Sequence, residues 1–157
     1  MINAVFTDIL LGVLALLLVL AAVIDLRTRT IPNPLNVAIA VLAPLFWLSV
    51  GMQFWPGMAI QIGVAAAVFA LLAIAFWVGM MGGGDVKMAA AVAMWFSPEG
   101  TLKFLVLMSL AGGVLTLVMV VLHRLQKREG RPEIPYGVAI AFGALAILAQ
   151  RFLNQFA

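Results

Sequence analysis

Residues 9–33 read ILLGVLALLLVLAAVIDLRTRTIPN. From Ile9 to Ile24 no side chain is polar; then come a carboxylate at Asp25, guanidiniums at Arg27 and Arg29, and the turn-forming Ile31-Pro32-Asn33. Crossing the hydrocarbon core takes around 20 apolar residues, with wide scatter. Open or irregular backbone is not viable in lipid, so the run predicts a spanning helix. No Lys or Arg precedes Arg27, so the positive region of a cleaved signal peptide is missing and the stretch reads as a retained span.

The rest of the chain repeats this pattern. Of its 157 residues, 66% are hydrophobic and 10% charged, with a mean hydropathy of +1.20. Soluble domains carry roughly 25% charged residues, so the solvent for most of this surface must be lipid. Six apolar segments are predicted, at about residues 8–24, 35–50, 57–78, 85–97, 101–122 and 135–153, with Pro44 as a kink in the second. The fourth is too short to span comfortably alone. The expectation is an all-α membrane protein, a bundle of about six transmembrane helices in one domain over residues 1–157.

Charge sets the orientation. Arg27, Arg29, Lys87, Arg124, Lys127, Arg128 and Arg131 fall in loops on one side of a six-helix chain, and only Lys103 and Arg151 on the other. The positive-inside rule makes the first side cytoplasmic and puts both termini outside. Trp47, Trp55 and Trp95 are expected near the outer ends and Trp77 near an inner end, as interfacial anchors. The net charge of +3 is thus a topology signal, not a nucleic-acid footprint. The basic loop from Arg124 to Arg131 is expected to meet anionic lipid headgroups, with docking of pilus assembly machinery a further possibility.

The absence of cysteine rules out disulfides, Cys-ligated zinc and thiol catalysis. A lone His123 argues against a histidine metal site or a Ser-His-Asp triad. The acidic residues are more informative. Asp8 reads as the start of an outer helix, Glu99 as an outer loop, and Glu129 and Glu133 as parts of the basic loop. Asp25 closes an apolar helix and Asp85 opens another after Gly82-Gly83-Gly84. Ionisable groups at membrane depth are costly. The bland reading pairs Asp25 with Arg27 or Arg29 and makes Asp85 a helix cap. The functional reading brings the two together where helices one and four pack. Two close carboxylates share one proton, so one activates water while the other donates to a carbonyl oxygen, with no metal or cofactor.

Local sequence favours the second reading. Gly82-Gly83-Gly84-Asp85-Val86-Lys87 resembles the G-x-G-D signature of intramembrane aspartic proteases, with Gly82, Gly84 and Asp85 as its fixed letters. Asp25 followed by Ile31-Pro32-Asn33 resembles the first-aspartate motif of the prepilin peptidases. Pro135-Tyr136-Gly137 is similar to the short form serving Flp-type pili. The resemblance implies Asp25 and Asp85 as catalytic residues. It implies removal of a basic leader from prepilins or pseudopilins, after a glycine, at the cytoplasmic face of the bacterial inner membrane. Lys87 matches a lysine commonly found after the second aspartate. Gly82, Gly83, Gly84, Lys87, Ile31, Pro32, Asn33 and Tyr136 are the expected substrate-binding or site-shaping residues. Tyr136 either lines the cleft or anchors at the interface. Bifunctional relatives carry a tetracysteine segment and N-methylate the product; without cysteine, peptidase activity alone is expected, with no metal.

Gly79-Met-Met-Gly82 and Gly112-Gly113 are expected to let helices approach closely. The rival readings are a small transporter, whose acidic pair relays protons or binds a cation, and a non-enzymatic scaffold of a secretion machine. Few polar residues lie deep in helices two, three and five beyond Gln61 and Ser109, which disfavours a through-path.

Overall fold

A computed structural model describes residues 2–126 and 133–156. Six α-helices form the described part: α1 (Ile2–Thr28), α2 (Asn33–Ser49), α3 (Ala59–Trp77), α4 (Gly83–Ala93), α5 (Pro98–Leu125) and α6 (Tyr136–Phe156). A wound turn at Phe54–Met58 leads into α3. Neighbouring contacts run α1–α2–α4–α3–α5–α6 and back to α1, with α4 also touching α6.

Four helical stretches are long and apolar enough to cross a membrane: Ala4–Thr28, Phe54–Trp77, Pro98–Leu125 and Tyr136–Leu153. The apolar α2 is shorter, at 17 residues. The 11 residues of α4 reach only about 16 Å at the α-helical rise, roughly half a hydrocarbon core. Its side chains are instead consumed by protein: Asp85, Val86, Met88, Ala89, Ala91, Val92 and Ala93 are all buried.

Hydrophobicity runs all round these helices, so burial is selected by shape. On α1 the face Leu11, Leu14, Leu18, Ala21 is sealed, while Leu16, Val19, Leu20 and Val23 are exposed, as lipid-facing side chains are. The 3–4 spacing of that sealed face continues to Asp25, which is 3% exposed. On α6 the matching face is Ala141, Ala144 and Leu148, and it continues back to Gly137.

Several expectations are revised. Asp8 lies inside α1 rather than at its start, because the helix extends back to Ile2. Glu99 sits in the first turn of α5, bonded to Lys103 at 2.7 Å, not in a loop. Trp47 and Trp95 are core residues, each 2% exposed. Their indole N–H groups donate to the carbonyls of Met94 and Ile39, at 2.8 and 3.0 Å, bonds that tie α2 to the far end of α4. Trp55 and Trp77 are exposed. Of the glycines expected at close contacts, Gly113 faces open space and Gly79 is a turn residue at φ +75°. Lys127, Arg128, Glu129 and Arg131 lie outside the described residues.

The most extensive helix pairing is α5 on α6, with Gly143 at its seam. A Cβ on Gly143 would stand 3.0 Å from the backbone nitrogen of Met108 and 3.2 Å from the Phe104 carbonyl. Gly143→Val should therefore destabilise the bundle by about 1–3 kcal/mol. Gly113→Ala, with nothing in its way, should be neutral or stabilising by up to about 1 kcal/mol. Unfolding of the two variants in detergent, followed by circular dichroism, checks the contrast.

Candidate active site

Two carboxylates and two glycine amides define the site. Asp25, in the last turn of α1, accepts a hydrogen bond at Oδ2 from the backbone N–H of Gly137, at 2.8 Å. Asp85, in the first turn of α4, accepts at Oδ2 from the backbone N–H of Gly82, at 3.0 Å. Both are buried. The group bonded to each is thus a neutral backbone donor, although the Arg29 guanidinium lies near enough to act on Asp25 through space. Among the described residues no ion pair joins Asp25 to Arg27 or Arg29, so the expected bridge is not formed. The helix-capping role of Asp85 is real: its bond to Gly82 closes the first turn of α4.

A side chain at either donor would push against the acid that it holds. A Cβ on Gly137 would stand 2.8 Å from Oδ2 of Asp25 and 2.8 Å from Cδ1 of Ile31. One on Gly82 would stand 2.9 Å from Oδ2 of Asp85. Gly84 rests on the backbone of Ile31, with its virtual Cβ 3.3 Å from the Ile31 carbonyl. Ile31 thus sits between the glycine run and Gly137. The joint is fixed further by buried Asn36, whose Nδ2 donates to the Gly84 carbonyl at 3.2 Å. The two acid-bearing helices are held together mainly through α2 and α6, each of which packs on both α1 and α4, rather than through an extensive α1–α4 interface.

The two aspartates line one cleft of about 680 Å³ at the end of the bundle. Its other walls are Thr28, Arg29, Thr30, Gly79, Met80, Met81, Gly82, Thr116, Glu133, Ile134 and Tyr136. Tyr136 faces the cleft, with its hydroxyl 3.4 Å from Thr116 Oγ1 and its ring against Gly112. Of the other residues expected at the site, Gly82 lines the cleft, while Ile31, Gly83 and Gly84 support it from behind. Pro32 precedes the first residue of α2. Lys87 and Asn33 point elsewhere: Lys87 Nζ donates to Asn33 Oδ1 at 3.0 Å, and both line an apolar groove between α2, α3 and α4. Sequence reasoning misses Gly137, Asn36, Thr116 and Arg29 as parts of the site. Gly137 stands in a quoted motif, but nothing in the sequence says that its amide meets Asp25. Among the described residues no three His, Cys, Asp or Glu side chains gather as a metal-ligand set.

A helical membrane bundle with two buried carboxylates on one open cleft is the architecture of a membrane protein built around an aspartate pair. The chain belongs to the type IV leader peptidase family, whose model matches residues 12–117. That stretch contains both aspartates and the glycine run; α6, which supplies Gly137, lies beyond it. The chain is also similar to a prepilin leader peptidase/N-methyltransferase of Xanthomonas campestris pv. campestris, 27% identical over 146 residues. The match covers 86% of this chain and 47% of that protein, so the chain spans about half the length of this curated relative. No solved structure matches it.

Gly137→Ala pushes a methyl into Asp25 and Ile31, and should cost about 1–3 kcal/mol of stability. Thermal unfolding in detergent checks it. An unchanged midpoint would mean that α6 does not clamp Asp25.

Proposed function

We propose that this chain is an intramembrane aspartic endopeptidase that removes the leader from type IV prepilins or pseudopilins of the Flp type, with Asp25 and Asp85 as its catalytic pair. The reading is carried by one observation: both buried carboxylates open onto the same cleft, inside the stretch matched by the family. The similarity to a prepilin leader peptidase supports the substrate class. The basic loops support six crossings, the fourth made inside the bundle by short α4 with its flanking turns, with the cleft on the cytoplasmic side of the inner membrane and both termini outside.

The chemistry follows from the pair. Neighbouring carboxylates in a poorly solvated site share one proton, and they titrate as a unit. The ionised member takes a proton from water as the water oxygen attacks the scissile carbonyl carbon. The protonated member donates to the carbonyl oxygen. As the tetrahedral intermediate collapses and the C–N bond breaks, one of its hydroxyls returns a proton to the ionised acid and the leaving amine takes a proton from the other, so the pair again holds one proton. The amides of Gly82 and Gly137 orient the two acids without supplying a charge that would pin both in the ionised state. A helical peptide bond already has its hydrogen bonds made, so the junction must unwind to be cut. The cleft's place at the end of the bundle provides room and water for that step.

Co-expression with a prepilin tests the reading. Asp25→Asn and Asp85→Asn should each abolish leader removal while leaving protein levels intact; normal processing in either variant excludes that residue from the centre. With the purified enzyme, kcat/KM should follow a bell-shaped pH profile. Activity falls on the acid side as both acids become protonated, and on the alkaline side as both ionise. A rate that is flat across both limbs would exclude a shared proton.

A further inference from the structure

The end of α1 carries a residue that the two-aspartate chemistry does not use. Arg29 follows the last residue of α1 and adopts φ +55°, the left-handed region, with its amide N–H bonded to the Asp25 carbonyl at 2.9 Å. Glycine usually ends a helix in this way, because any Cβ is strained there. An arginine in that position keeps a side chain at a place where the backbone favours none.

That side chain enters the cleft. Arg29 lines it beside Asp25, Asp85 and Glu133, yet among the described residues no ion pair joins its guanidinium to any of the three. Its Nη1 is buried and has no hydrogen-bond partner. Buried donors are nearly always satisfied, and a charged one left unmet is costly. A free guanidinium has five N–H donors and accepts nothing, so what completes it must present an oxygen.

We propose that Arg29 is a substrate-positioning residue: its Nη1 donates to an acceptor oxygen on the peptide segment occupying the cleft, either a backbone carbonyl or an acidic side chain flanking the bond to be cut. This rests on the peptidase reading. It assigns Arg29 no share in the proton transfers. The guanidinium fixes where the unwound segment lies relative to the two acids, a job suited to its planar fork of donors.

The test compares Arg29→Gly, Arg29→Gln and Arg29→Lys in the full chain, purified in detergent, with a prepilin substrate. Arg29→Gly removes the side chain and relieves the left-handed backbone, so its melting temperature should not fall and it carries the test if Arg29→Gln folds poorly. A hydrogen bond to a charged group corresponds to roughly ten- to hundredfold in affinity. KM should therefore rise by roughly that factor in the Gly and Gln variants while kcat falls far less, with Lys intermediate. A KM within about twofold of the parent in both Gly and Gln variants overturns the proposal. So does an unchanged KM with a displaced pH profile, which would mean that Arg29 acts only on the charge of the aspartates.

Substrates with each flanking acidic residue changed to its amide separate the two acceptors. If the Arg29→Gly effect disappears with one of them, the acceptor is that side chain; if it persists with all, it is a backbone carbonyl. Binding of uncleaved prepilin to the Asp25→Asn/Asp85→Asn chain, with and without Arg29→Gly, is measured in parallel. A parent that never cleaves sinks the peptidase reading, whereas a parent that cleaves with no effect at Arg29 sinks only this proposal.

Discussion

Two buried carboxylates have to be held here without either bonding directly to a cation. A buried ionised acid is expensive, and an opposed guanidinium or ammonium is the common remedy. In this chain the remedy is a backbone amide for each: Gly82 for Asp85 and Gly137 for Asp25. An amide donor orients an oxygen while leaving the acid free to carry a proton. A bonded cation would fix the ionised form. Because the donor comes from the backbone, its residue must be small enough for the carboxylate to lie against it. Both donors are glycines whose Cβ would stand under 3.0 Å from the oxygen they hold.

Much of the bundle answers to that demand. Gly82 belongs to the same chain segment as Asp85, so its bond is local. Gly137 is far from Asp25 in sequence, and its bond needs α6 seated against α1. Close seating of α6 on its other flank uses Gly143 against the Phe104–Met108 backbone and Gly112 against Tyr136. At the remaining corner, Ile31 is wedged between Gly84 and Gly137, and Asn36 ties α2 to the Gly84 carbonyl. The Ile31-Pro32-Asn33 turn is therefore structural in its effect. It delivers Ile31 into the gap between the two acid-bearing segments and starts α2 immediately after it.

Some of this was readable in the chain and some was not. The helices were, since long apolar runs between punctuating residues have one solution in lipid. Asp25 and Asp85 stood out because a carboxylate ending or opening such a run is costly and rare. Helix faces were not readable. α1 is apolar all round, so Leu14 and Leu16 look alike, and only packing decides that the first is sealed and the second exposed. For the same reason Trp47 and Trp95 looked like interfacial anchors, though their indoles satisfy carbonyls inside the core. Gly137 was in plain view, but a glycine's function as a donor depends on what lies opposite it, which sequence does not carry. Lys87 shows the converse: adjacent to the glycine motif, it points to Asn33 and the groove behind α4.

The shortness of α4 ties the architecture to the chemistry. A helix that spanned the bilayer would put its first turn at the headgroups and its acid in bulk water. At 11 residues, α4 is cradled by α2, α3 and α6, and its first turn buries Asp85 while Gly82, which caps it, stays exposed. Asp85 is thereby buried, yet it opens onto a cleft of about 680 Å³. The glycines at its start complete the arrangement: exposed Gly82 caps the helix, and at Gly83 and Gly84, in its first turn, larger side chains would press on Phe76 and Ile31. A short helix, a glycine-rich first turn and an aspartate within it are one device, which buries an acid while leaving it open to the cleft.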